Sequence, residues 1–156
     1  MILMRRFFKA SAWVFFIFLL SGCIGENYDF TPPNIELYVN NGNASAELKD
    51  IVEANVDWIG EENKPYQKEV KDILLFAKKQ KKMILGSGYN GDIIFDHEDF
   101  ELKEMTVFVW KENEKQKVEL KNRTMFFPNE KGDYVLEINI ESDSGTAQYV
   151  GNLAIE

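Results

Sequence analysis

The polar and apolar positions of this chain change their period several times, and each change predicts an element. Ala10 to Leu20 form a largely apolar run behind Arg5, Arg6 and Lys9. From Ile35 the pattern becomes strict alternation, with Ile35, Leu37 and Val39 on one face. A period of two marks half-buried strands. It returns in a short stretch over 44–48 and in Val52, Ala54, Val56 and Trp58, whose intervening Glu53, Asn55 and Asp57 predict one wet face. Residues 65–82 break the pattern. Pro65 suits a first helical turn, Val70, Ile73, Leu74 and Ala77 recur at helical spacing, and Lys78, Lys79, Lys81 and Lys82 suit the negative end of a helix dipole. One short helix across an edge or end of a sheet is therefore predicted. Further strands are predicted over 83–85, 92–95, 105–110 and 118–120, the last two joined by a polar turn at 112–116. The end of the chain is clearest: Tyr134, Leu136, Ile138 and Ile140, a Ser142-Asp143-Ser144-Gly145 turn, then Ala147, Tyr149, Gly151, Leu153 and Ile155. That is an antiparallel hairpin.

Seven or eight short strands punctuated by turns argue for an antiparallel β-sandwich, with a partly closed barrel as the alternative. Glu130-Lys131-Gly132-Asp133-Tyr134 resembles the tyrosine corner of immunoglobulin-like sandwiches, whose tyrosine hydroxyl bonds back to upstream backbone. The cysteine that antibody domains carry two places after this tyrosine is Leu136 here. The expected fold is thus mainly β, an antiparallel Ig-like β-sandwich with one short helix, and without the disulfide.

The apolar run ends in Leu20-Ser21-Gly22-Cys23, and Cys23 is the only cysteine. A basic head, an apolar core and small residues before a cysteine resemble the lipobox of bacterial lipoproteins, which implies cleavage before Cys23 and lipidation of its thiol. The apolar core is shorter than the ~20 residues that a bilayer span needs. The expected organisation is a lipoprotein signal peptide over 1–22, a lipidated cysteine and tether over 23–34, and one β-domain over 35–156. Losing the leader removes three basic and no acidic residues, which takes the formal charge from −8 to −11. So acidic a chain lacks the basic footprint that nucleic acid demands. Attachment to the membrane rests on the lipid. The richness in Lys, Asn, Ile and Glu resembles low-GC Gram-positive proteins, which places the domain on the outer face of the plasma membrane. The Pro-Pro-x-Ile-x-Leu-x-Val opening (Pro32 to Val39), Trp58, Gly132-x-Tyr134 and Gly145-x-Ala147-x-Tyr149 resemble small Gram-positive extracellular lipoproteins of unassigned function.

Candidate chemistry is sparse. Gly86-Ser87-Gly88-Tyr89-Asn90-Gly91 has the glycine spacing of a dinucleotide loop, but Asp92-Ile93-Ile94-Phe95 follows where a helix is required. A β-turn with positive φ at Asn90-Gly91 explains the glycines without a ligand. Asp92, Asp96 and Asp99 belong to the densest acidic stretch and supply oxygen ligands of the kind calcium takes, without EF-hand spacing. His97 is the only histidine, which excludes a multi-histidine zinc site. Met105, Val107 and Val109 share one face of their strand, so Phe108 and Trp110 point to the other and form a candidate partner-binding surface. These features predict a non-enzymatic, membrane-anchored binding or accessory module for an envelope protein or small ligand. The competing expectation is an envelope hydrolase using a carboxylate pair that no local context singles out.

Overall fold

A computed structural model describes residues 28–40 and 47–156. The leader, Cys23 and the stretch expected near residue 44 lie outside or at the margin of that set. The terminal hairpin forms where alternation predicts it, as β10 (Gly132–Ser142) and β11 (Gly145–Ile155). Its register sets Ile138 opposite Tyr149 and Ile140 opposite Ala147, all buried. The Ser142 hydroxyl accepts from the amides of Ser144 and Gly145 and closes the turn. Gly145 has φ +142, and a Cβ there would lie 2.1 Å from the Asp57 carbonyl oxygen, so only glycine fits. The Tyr134 hydroxyl donates to the Glu130 carbonyl at 2.9 Å, the back-bond expected of a tyrosine corner.

The remaining strands are β1 (Ile35–Asn40), β2 (Glu47–Ile59), β3 (Pro65–Lys68), β4 (Lys82–Leu85), β5 (Asn90–Phe95), β6 (Leu102–Lys111), β7 (Glu114–Val118), β8 (Leu120–Lys121) and β9 (Thr124–Phe126). The protein is mainly β and antiparallel, with one short helix, α1 (Ile73–Lys78). Nine strands follow one path, β7-β6-β10-β11-β2-β1-β5-β9-β8. The 13-residue β2 makes this continuity possible: up to Ile51 it pairs with β1, and from Val52 it pairs with β11. The two ends of the path, β7 and β8, are separated in the chain by Glu119 alone, so the sheet curls until it nearly closes into a barrel. Ile35, Leu37, Trp58, Val107, Met125, Leu136 and Leu153 fill the interior. β3 extends β2, and β4 runs parallel to the end of β11.

Three local readings are corrected. Residues 65–68 are a strand, and the helix has only six residues, because Asp72 supplies the N-cap by accepting from the Leu75 amide at 2.9 Å. The helix lies across the outer face of the sheet. Asn152 Nδ2 donates to the Lys78 and Gln80 carbonyls, which occupies part of its C-terminal backbone. Second, β2 does not keep Val52, Ala54, Val56 and Trp58 on one face. Its register slips from Asn55 opposite Gln148 to Glu53 opposite Tyr149, leaving Ala54 as an extra residue. Such a bulge exchanges the faces of the strand. Val56 and Trp58 consequently face the core, and Ala54 faces outward against Ala77, Val135 and Val150 under α1. Third, the second half of the expected tether, residues 28–34, is docked. Pro33 is fully buried and its carbonyl accepts from the Tyr149 hydroxyl at 2.6 Å.

The glycine run joins β4 to β5 through a turn in which the Tyr89 amide donates to the Gly86 carbonyl. Positive φ falls at Gly88, and Asn90 and Gly91 already belong to β5. The polar turn before β7 is also tighter than expected, because Glu114 and Gln116 pair with Lys111 and Val109 of β6. The β8–β9 hairpin, unforeseen in the pattern, turns on Asn122 and Arg123 with φ +51 and +65.

Candidate functional site

Alternation along β6 puts Val107 and Val109 in the core and turns Glu104, Thr106, Phe108 and Trp110 outward. Pairing with β10 then sets Trp110 beside Val135, Phe108 beside Glu137, Thr106 beside Asn139 and Glu104 beside Glu141. β11 continues these rungs with Gln148 next to Asn139 and Thr146 next to Glu141, and β2 adds Asn55 and Asp57. The outer face is thereby zoned along the strand direction: apolar under α1, a carboxylate at Glu137, an amide rung, and an acidic lip.

Glu137 is 2% exposed in the middle of β10, between the buried Leu136 and Ile138 and on the same face as Val135 and Asn139. Four side chains donate to it. Trp110 Nε1 reaches Oε2 at 2.6 Å, while Lys115 Nζ at 3.0 Å, Gln148 Nε2 at 3.0 Å and Asn139 Nδ2 at 2.9 Å reach Oε1. Burial pushes this carboxyl up, but the bonds from Asn139, Lys115 and Trp110 and the Lys115 charge outweigh it and hold it below the usual range. The network extends to β2: Asn55 Nδ2 donates to Gln148 Oε1 at 2.6 Å, and Asn55 Oδ1 accepts from the Val70 amide, fixing the chain that leads into α1.

Phe108 and Trp110 do share the outer face, as the alternation predicts. Neither ring is a bare platform. Lys115 lies 4.0 Å from the Phe108 centroid and 5.0 Å from that of Trp110, and Trp110 also packs into the cluster under α1. The open part of the face is the neighbouring groove of about 330 Å³, floored by the amide rung and bounded by Glu104, Glu141 and Asp57. Glu104, Thr106, Glu141 and Thr146 make no side-chain hydrogen bond or ion pair among the described residues. Glu104 and Glu141 stand directly opposite each other, an arrangement that costs stability in a sheet unless something positive lies between.

The three candidate calcium ligands go to separate tasks. Asp92 accepts from the Thr124 hydroxyl at 2.6 Å. Asp96 accepts from both the amide and the side chain of Asn34, at 2.8 and 2.7 Å. Asp99 accepts from the Asp29 amide at 2.9 Å. Two of the three therefore clamp the N-terminal segment to the barrel. Among the described residues no three His, Cys, Asp or Glu side chains gather where they could hold a metal ion. Cys23 lies outside the described residues. Glu137, Asn139 and Gln148 were not singled out in the sequence. Their only signal there is a polar residue at an alternate strand position, which looks the same whether that face is wet or covered.

The chain matches no protein-family model and no curated protein.

Proposed function

We propose that this protein is a lipid-anchored, non-enzymatic binding module of the cell envelope. Cys23 holds it at the outer face of the plasma membrane, and the groove on β6, β10, β11 and β2 takes an envelope protein or small ligand. One observation carries the reading: a saturated network around Glu137 rigidifies the groove wall, while the groove's own Glu104, Thr106, Glu141 and Thr146 keep their hydrogen-bonding capacity open. Rigid support beside unspent polar groups is what a specific binding surface needs. The Tyr134 back-bond supports an Ig-like reading of the sheet within the nearly closed barrel.

The test is in-cell photocrosslinking from Thr106 and Thr146 at native expression. Discrete adducts that disappear in Glu104→Gln/Glu141→Gln are expected, and Cys23→Ala is expected to release the protein from the membrane fraction. Adducts indifferent to the double substitution would refute the groove, and unchanged membrane retention of Cys23→Ala would refute the anchor. The facing pair Glu104 and Glu141 keeps the hydrolase as a second reading. Turnover of wall fragments lost in either single glutamine variant would select it.

A further inference from the structure

A second concavity, of about 690 Å³, opens where residues 28–34 meet β2, the 3-10 segment that follows it and β3. Its size lies within the ~300–1,000 Å³ typical of small-molecule sites. Three aromatic rings rim it. Tyr28 and Phe30 lie 5.4 Å apart and inclined by 38°, Tyr66 of β3 lines the same cleft, and all three are about half exposed. Rings of this size are normally drawn into cores, so three around one cleft leave a large apolar surface to be covered.

The polar lining has one sign. Asp29, Glu53 and Glu61 contribute carboxylates, and among the described residues no Lys, Arg or His lines the cleft, the nearest imidazole being His97, whose Nε2 lies 4.0 Å from Asp29 Oδ2. Glu53 is shared between the Tyr66 hydroxyl and Lys68, which neutralises part of its charge. Asp29 accepts from the Thr31 hydroxyl and amide, and these bonds hold its carboxyl below the usual range. Glu61 sits exposed in a one-turn 3-10 segment over residues 61–63. Ring faces attract a cation through their quadrupoles and also cover its alkyl groups. Carboxylates complete the match, whereas aromatic walls offer a bare metal ion no ligands.

We propose that this cleft binds a small, soluble organic cation, an alkylammonium or quaternary ammonium group seated among Tyr28, Phe30 and Tyr66 with Asp29 and Glu61 as counter-charges. This site is separate from the groove on the outer face and does not depend on it. The test uses the full-length chain in detergent micelles and isothermal titration with choline, butylammonium and 3,3-dimethylbutan-1-ol, the neutral isostere of choline. Saturable binding of choline or butylammonium is expected, with the alcohol weaker by about tenfold or more. Tyr66→Leu and Glu61→Gln, both at exposed positions, should each weaken the cation while leaving the urea midpoint unchanged. Equal affinity for the alcohol, no saturable binding of either cation, or unchanged binding in a folded Tyr66→Leu variant would overturn the proposal.

Discussion

Glu137 and His97 are both enclosed polar side chains on which separate segments converge, and they are satisfied in opposite ways. Glu137 receives four side-chain donors from β6, β7, β10 and β11, so its burial is compensated and it ties four strands together. His97 stands in the loop after β5, beside the docked N-terminal segment. Its Nδ1 accepts weakly from the Asp99 amide at 3.4 Å, and its Nε2 points toward Asp29 and Asp96 from 4.0 and 3.9 Å, beyond hydrogen-bond reach. That nitrogen is the single buried side-chain polar atom without a partner among the described residues. The N-terminal segment is therefore held around His97 rather than by it, through Asp96, Asp99 and the Tyr149 hydroxyl. A saturated buried group makes its surroundings rigid, and an unsaturated one marks where packing, not hydrogen bonding, sets the geometry.

The contrast breaks most visibly at Glu137. Glu137→Ala leaves Lys115, Trp110, Gln148 and Asn139 without their acceptor, and a loss of about 3 kcal/mol is expected in urea denaturation. Acid should act on the same group. Its carboxyl ionises below 4.5 in the folded protein against 4.5 in the unfolded chain, so the unfolded state binds the extra proton in that window. The stability it contributes is complete above 4.5 and drains away as pH falls below it. Glu137→Gln should show a shallower fall of the urea midpoint on acidification than the natural protein. An identical pH profile would mean that the carboxylate charge contributes nothing.

Tyr149→Phe removes the bond to the Pro33 carbonyl and should cost about 1 kcal/mol. Hydrogen exchange is expected to quicken at the Asn34 amide, which Asp96 holds, before it quickens in β10. The smallest effect belongs to His97→Phe. It removes the unpartnered Nε2 and the weak Nδ1 acceptor of the Asp99 amide while keeping an aromatic ring to meet Phe100 edge-on, so stability should stay within about 1 kcal/mol of the natural protein. A loss comparable to that of Glu137→Ala would show that His97 carries an interaction with Asp29 or Asp96 after all.

The legible part of the fold was the part with a clean period. Tyr134 to Ile140 and Ala147 to Ile155 cannot slip by one residue without exposing a whole apolar face, and the Ser142 to Gly145 turn fixes the register among those that remain. Phe108 and Trp110 were readable as outward for the same reason. The helix is shorter than the spacing of Val70, Ile73, Leu74 and Ala77 predicts, because Pro65 opens a strand as readily as a helix and the cap is Asp72. Residues 28–34 read as tether because Pro32 and Pro33 carry no period, although both pack against the barrel.

By itself the sequence determined the antiparallel β class, the closing hairpin and the outward side of β6, because each follows from the period-two pattern of near neighbours and the turn residues between them. Only the tertiary structure decided the rest. The bulge at Ala54 exchanges the faces of β2, the curl of nine strands brings β7 and β8 to adjoining ends of one path, and strands distant in sequence deliver four donors to one carboxylate. These depend on which strands become neighbours. A period-two pattern reports the face of a residue and carries no information about what covers that face.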